Sequence, residues 1–331
     1  MRTIGRLAIV GGGAWGTALA VTARRAGRAV VLWAREAEVV AAINARHENP
    51  LFLPGVPLDP AIVATPDLAA AAAADAVLLT VPAQHLRAIA AALAPLLPPG
   101  VPAVLCAKGI EAGSGALMSE VAAECLPGTP LAVLSGPTFA AEVARGLPTA
   151  VTLAAADAEL GHALIAAIGT RSFRPYLGND LIGAQIGGAV KNVLAIACGI
   201  LDGRRLGDNA RAALITRGLA EMGRLAHAKG ARKQTLTGLS GLGDLTLTCA
   251  GTQSRNHSLG VALGEGGDLA GILARRRTVA EGVASATAVA GLAQRLGVEM
   301  PIVAAVDAIL NRGEPIDATI DALLARPFRS E

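Results

Sequence analysis

The stretch Leu7-Ala8-Ile9-Val10-Gly11-Gly12-Gly13-Ala14-Trp15-Gly16, running on through an alanine-rich segment to Ala26, decides the fold. Four apolar residues make a short buried strand, glycines make a turn, and the alanine-rich segment reads as a helix. This is G-x-G-x-x-G in strand–turn–helix context. Gly11 allows the tight turn, Gly13 lets the backbone approach a pyrophosphate, and Gly16 lets the helix pack on the strand. A phosphate placed there meets free N–H groups and the positive end of a helix. The pattern predicts a dinucleotide site. The plainer alternative is a glycine-rich turn beside an empty crevice.

A second strand, Ala29-Val30-Val31-Leu32-Trp33, follows. The position about 20 residues beyond the fingerprint ordinarily carries an acid for the ribose 2′-hydroxyl of NAD. Here Arg35 stands in that region with Glu36 beside it. An arginine pairs with a 2′-phosphate, which favours NADPH, while Glu36 leaves NADH open. Further strands are read at 62–64, 76–81, 101–106, 132–134, 150–153 and 171–173. Their near-continuous apolar runs suit a mostly parallel sheet buried on both faces. The longest apolar run, 68–82, is broken by Asp75 and reads as helix, turn and strand, not as a membrane span. Ligands bind at the carboxyl ends of such strands, and Lys108 directly follows one of them.

Near 179–181 the rhythm changes. Helical patterns take over at 181–201, 209–229, 257–273 and 281–296. The expected fold class is therefore α/β, with a mostly parallel sheet domain over 1–180 and an all-helical domain over 181–331. The first of these helices contains Gly187-Gly188-Ala189-Val190-Lys191-Asn192-Val193-Leu194. Apolar residues at Ile186, Val190, Val193, Leu194, Ala197 and Leu201 bury most of it. Burial pushes an ammonium's pKa down toward the range where it trades protons, so Lys191 is a candidate acid/base. Each glycine costs about 1 kcal/mol against alanine inside a helix. Something must therefore come close to this helix one turn before Lys191. The plainer alternative is a lysine that snorkels to the surface.

Composition sharpens the choice. Of 29 basic residues only four are lysines: Lys108, Lys191, Lys229 and Lys233. Arginine does not give up its proton in a protein, so a position that needs a titratable cation stays lysine. Lys229 and Lys233 lie in polar sequence; Lys108 and Lys191 lie in apolar sequence. The loop-rich run from Thr237 to Thr248 surrounds one acid, Asp244, with glycines, as a backbone shaped to present that carboxylate to Lys191 would. Ser254-Arg255-Asn256 then stands before a helix. A hydroxyl, a guanidinium and an amide there suit a phosphate or carboxylate; a simple N-cap is the alternative.

The formal charge of +3 is spread along the chain. With no basic run interleaved by aromatics, nucleic-acid binding is not expected. The four cysteines stand far apart, without CxxC or Cys/His spacing, so neither a disulfide framework nor a metal site is indicated. No signal-peptide pattern opens the chain, and a cytoplasmic protein is expected.

Taken together, these stretches resemble the bacterial-type NAD(P)-dependent glycerol-3-phosphate dehydrogenases. The resemblance runs in order through Gly11-Gly-Gly-Ala-Trp-Gly16, Leu53-Pro-Gly55, Lys108-Gly109, Ser135-Gly-Pro-Thr-Phe-Ala140, Gly146-Leu-Pro-Thr149 and Gly187-Gly-Ala-Val-Lys-Asn192. It continues through 213–222, 241–245, 247–249, Ser254-Arg-Asn256 and Glu281-Gly282. Position 14 is alanine where many relatives have serine. The resemblance implies a Rossmann domain followed by a helical domain, in a homodimer. It implies reversible reduction of dihydroxyacetone phosphate to sn-glycerol 3-phosphate for phospholipid synthesis.

By position, the same resemblance implies that Lys191 is the general acid/base and that Lys108 touches cofactor and substrate. Asp244 would orient Lys191 and, with Asn192 and Thr248, line the reacting end. Gly136 and Thr138 would donate to the substrate. Ser254, Arg255 and Asn256 would hold the phosphate, with Arg255 also reaching the cofactor. Trp15, Arg35, Ala140, Val279 and Glu281 would join Gly11, Gly13, Ala14 and Gly16 on the cofactor side. The alternatives are a dehydrogenase of similar architecture acting on a 3-hydroxy acid, a non-catalytic dinucleotide sensor, and FAD in the glycine loop.

Overall fold

The structure, a computed structural model, describes residues 3–276 and 280–327. Its strands are β1 (Arg6–Val10), β2 (Ala29–Trp33), β3 (Ile62–Thr65), β4 (Ala76–Leu79), β5 (Ala103–Leu105), β6 (Leu131–Ser135), β7 (Thr149–Ala155) and β8 (Phe173–Gly178). They form one 8-stranded sheet in the order β3-β2-β1-β4-β5-β6-β7-β8. Alternate residues of β1 feed two cores: Leu7 and Ile9 join one cluster, Ala8 and Val10 the other. The sheet is thus buried on both faces, which is why its strands read as unbroken apolar runs.

Pairing is parallel from β3 through β6. β7 runs antiparallel to β6, because the chain leaves β6 at Gly136 and returns at the same end through the short Ala140–Arg145 helix. The last strand lies at 173–178 and not at 171–173. Pro175 cannot complete a ladder, and β8 accommodates it as the sheet's edge.

The chain divides into two compact units, Met1–Lys108 with Ala116–Gln185, and Gly109–Gly115 with Ile186–Glu331. The second is built on residues 186–203 of the Leu181–Gly203 helix. By length and composition this helix could cross a membrane, but 89% of its most apolar 18-residue window is buried inside the protein, as in a core helix. Gly199 and Gly203 let the Arg255–Gly264 helix come against it. A Cβ on Gly199 would lie 2.1 Å from His257 O, and one on Gly260 would lie 2.1 Å from Ile196 O.

Two sequence expectations change here. The single helix expected over 257–273 is two, Arg255–Gly264 and Leu269–Ala274. Gly266 takes φ +95° between them, and Asp268 caps the second through Gly271 N at 2.7 Å. The loop-rich run 237–248 is a π-turn, Leu239–Gly243, followed by the Asp244–Ala250 helix. Burial of Leu236 and Leu245 folds it inward.

Two further helices, Pro301–Arg312 and Ile316–Leu324, complete the unit. Buried Glu221, on the Asp208–Ala228 helix, accepts from Ile302 N at 2.8 Å and Val303 N at 3.3 Å, so it caps the Pro301 helix from outside. Loss of water pushes its carboxyl up to about 7, against the pull of those two N–H groups.

Candidate active site

In the sheet unit the strand order reverses between β1 and β4, and the carboxyl ends of that pair are where α/β sheets bind ligands. Gly11 leaves β1 at φ +129°, and a Cβ there would lie 2.5 Å from Thr80 Oγ1 at the end of β4. A Cβ on Gly16 would lie 1.9 Å from Gly11 O, so only glycine lets the helix sit this near the loop. At Gly13 the same atom would meet nothing within 4 Å. The Ala14–Arg25 helix starts at Gly13 without a side-chain cap. Its first N–H groups lack partners within the helix. Half-buried Trp15 leaves its buried Nε1 without a hydrogen-bond partner. A close-packed turn, an open Gly13 and uncapped donors fit the diphosphate of a dinucleotide.

Beyond β2, Arg35 Nη2 lies 2.9 Å from Glu36 Oε1, with the guanidinium largely in solvent. The two residues that favour different cofactors thus hold each other.

Lys108 is half-buried just past β5. Its Nζ donates to Gly136 O at 2.8 Å and to Thr138 Oγ1 at 3.4 Å. Thr138 in turn donates to Gly136 O at 3.2 Å. Gly136 takes φ +151°, and a Cβ there would lie 2.9 Å from Val151 Cα, so glycine is required where the carbonyl turns to the lysine. The oxygens of Gly136 and Thr138 therefore hold the ammonium. Ala140 opens the next helix, half-buried.

In the helical unit, Lys191 lies mid-helix and is buried. Its Nζ donates to Asp244 Oδ1 at 2.5 Å and to Thr248 Oγ1 at 2.9 Å. Thr248 donates to Asp244 O at 2.6 Å, one turn back on its own helix. Asp244 is wholly buried, so the pair is charge-compensated away from water. The close approach that the glycines demand is found here. A Cβ on Gly187 would lie 2.1 Å from Ser240 O, on the π-turn that delivers Asp244.

Next to Lys191, Asn192 Oδ1 accepts from Asn256 Nδ2 at 3.0 Å, and Asn256 Oδ1 accepts from Gly282 N at 3.0 Å. A Cβ on Gly282 would press on Asn256 Oδ1 and Asn192 O, each at 2.8 Å. Ser254 caps the Arg255 helix through His257 N at 3.2 Å, and Arg255 is exposed. His257 Nε2 is 2.8 Å from Asp202 Oδ2, and Arg211 donates to Asp202 Oδ1 at 2.9 Å, which buttresses this helix start. Glu281 opens its helix, half-buried. Val279 lies outside the described residues.

Sequence reading missed Asn49. It is buried and bonds to Gly12 O at 2.9 Å and Thr17 Oγ1 at 2.8 Å. The available signal was its place four residues before Leu53-Pro54-Gly55. Burial raises the Cys106 thiol, and bonding to Cys198 with burial raises Cys249, so neither of these two is a ready nucleophile.

Residues 6–161 match the family model for the NAD-dependent glycerol-3-phosphate dehydrogenase N-terminus, and residues 180–321 match the one for its C-terminus. A glycerol-3-phosphate dehydrogenase (NAD(P)+) of Rhodospirillum rubrum is 62% identical over 329 residues, covering 99% of this chain and 94% of that protein. The enzyme of that name from Caulobacter vibrioides is 59% identical over 329 residues, 99% of each. Among solved structures, glycerol-3-phosphate dehydrogenase from Coxiella burnetii matches with a TM-score of 0.94 at 41% identity, covering 98% of this chain and 99% of that one. On the ordered match of both halves and relatives of this identity across nearly its whole length, the chain belongs to the NAD-dependent glycerol-3-phosphate dehydrogenase family.

Proposed function

We propose that this chain catalyses the reversible NAD(P)H-dependent reduction of dihydroxyacetone phosphate to sn-glycerol 3-phosphate. The observation that carries the reading is the buried Lys191–Asp244–Thr248 cluster. An ammonium has three N–H bonds. Asp244 and Thr248 accept two of them and hold the ammonium in place. Lys191 acts as general acid, giving its proton to the oxygen that turns from ketone to alkoxide, and takes it back in the reverse direction. Asp244 keeps the ammonium in register and balances its charge in a dry setting. The nicotinamide dinucleotide, when bound, supplies the hydride.

The remaining roles are those the family resemblance implies for these positions. Gly13, Ala14 and Trp15 offer backbone N–H groups to the diphosphate, while Gly11, whose own N–H bonds to Trp33 O at 3.0 Å, makes the turn and Gly16 lets the helix close on it. Lys108, held by Gly136 and Thr138, offers a cation to cofactor and substrate. Ser254, Arg255 and Asn256 receive the phosphate at a helix start, and Asn192 offers its amide to the substrate. The same resemblance assigns Ala140 and Glu281 to the cofactor side. Arg35 favours NADPH by pairing with a 2′-phosphate, and Glu36, its competing partner, keeps NADH usable. The first domain is the cofactor domain and the second the substrate domain. By resemblance, the protein works as a cytoplasmic homodimer in phospholipid synthesis.

The test follows absorbance at 340 nm with purified protein, NADPH and dihydroxyacetone phosphate, then with dihydroxyacetone and with a 3-oxo acid. Oxidation that needs the phosphate group, faster with NADPH than with NADH, is expected. Oxidation with the 3-oxo acid alone would overturn the substrate. None with any of them would leave a dinucleotide sensor.

A further inference from the structure

The glycine loop is held from behind. Asn49 is fully buried and uses every polar atom of its amide: Nδ2 donates to Gly12 O and Thr17 Oγ1, and Oδ1 accepts from Phe52 N at 3.2 Å. Buried Thr17 passes the restraint on, donating from Oγ1 to Gly13 O at 2.9 Å. In a trans peptide the C=O and the following N–H point in opposite directions. Anchoring Gly12 O to Asn49 therefore turns Gly13 N–H away from Asn49. Anchoring Gly13 O to Thr17 does the same for Ala14 N–H. The helix that starts here has no side-chain cap, whereas Asp67, Asp157, Ser254 and Asp268 each cap theirs. The side chains near this start hold its carbonyls and leave its donors outward.

Resting on the dinucleotide-binding reading above, we propose that Asn49 is a positioning residue for the cofactor. Through the Gly12 carbonyl and the Thr17 hydroxyl it fixes the N–H groups of Gly13 and Ala14 in the orientation that receives the cofactor diphosphate. An anion that meets donors already aligned binds without the cost of ordering them. Asn49 touches neither substrate nor reacting atoms, so its effect falls on cofactor affinity and not on the chemical step.

The test uses Asn49→Asp, which keeps the Oδ1 acceptor for Phe52 and removes both donors. Asn44→Asp is the comparison. Asn44 bridges to Ala64 in the same unit through Nδ2 to O and N to Oδ1, both 2.9 Å, and does not bond to the glycine loop. NADPH is titrated onto each protein by calorimetry, and KM and kcat are measured. The Asn49 variant is expected to show Kd and KM for NADPH raised about tenfold or more, the factor that 1.4 kcal/mol produces. Its kcat at saturating NADPH and its KM for dihydroxyacetone phosphate should stay unchanged. The Asn44 variant should lose thermal stability and bind NADPH normally. Thr17→Val should move NADPH affinity in the same direction and Thr17→Ser restore it; that pair decides the matter if Asn49→Asp does not fold. NADPH binding as tight as wild type in the folded variants would overturn the proposal. Absence of NADPH and NADH binding in the wild-type protein would overturn the dinucleotide reading instead.

Discussion

Lys191 has a basic side chain only 7% exposed, beside a carboxylate with no exposure at all. Removing one charge leaves the other buried and unpaired, which typically costs about 3–5 kcal/mol, while removing both is often neutral. Lys191→Met should therefore lower unfolding free energy by that order in a urea titration, and Lys191→Met with Asp244→Asn should recover most of it. Recovery of stability without recovery of turnover separates the pair's structural part from its chemical part. Lys191 and Lys108 were legible from the sequence because lysine is rare in this chain and both stand in apolar runs. Asn49 and Glu221 were not. A single asparagine before Pro50 reads as a turn, and an acid on an amphipathic helix reads as a solvated face. Their burial is decided by which element packs over them, and local sequence does not state that.

Glycines at the elements' contact points decide how near their backbones come. Gly187→Ala would put a methyl 2.1 Å from Ser240 O, where a backbone atom must yield. The π-turn would shift and carry Asp244 with it. A displacement of about 1 Å can cost 10²-fold in rate, so kcat should fall at least about tenfold while NADPH binding holds. An unchanged kcat would mean that the turn does not position Asp244.

The Asp208–Ala228 and Pro301–Arg312 helices are joined by Glu221, whose carboxyl burial raises from 4.5 to about 7. Arg224 and Arg326 oppose that shift weakly. The folded chain holds this proton more tightly than the unfolded chain does. The stability it contributes is in full force below about pH 4.5 and is lost as pH rises through about 7. Across that window wild type should lose on the order of 3 kcal/mol relative to Glu221→Gln, read from urea midpoints; parallel pH profiles would contradict it. The strands and long helices were legible because period and length mark them. The π-turn, the break at 265–268 and the edge strand were not. Glycine and proline there signal irregularity, and the shape it takes comes from packing.

Across the whole molecule, each unit carries a coherent set of groups: a glycine turn, Lys108 and Arg35 on the sheet, and Lys191, Asp244 and the Arg255 helix start on the helices. The fold class was legible because apolar periodicity changes once, near residue 180. The candidate site was legible where chemistry needs an uncommon residue, and illegible where ordinary polar residues hold the others in place.

The proposed reaction turns on Lys191 as proton donor. The most direct measurement is the turnover of Lys191→Met at saturating NADPH and dihydroxyacetone phosphate, with NADPH binding titrated on the same preparation to establish that the protein is folded. The expected result is unchanged NADPH affinity with turnover lowered ~10²–10⁴-fold, the usual contribution of a positioned proton donor. Turnover equal to wild type in that folded variant would contradict it.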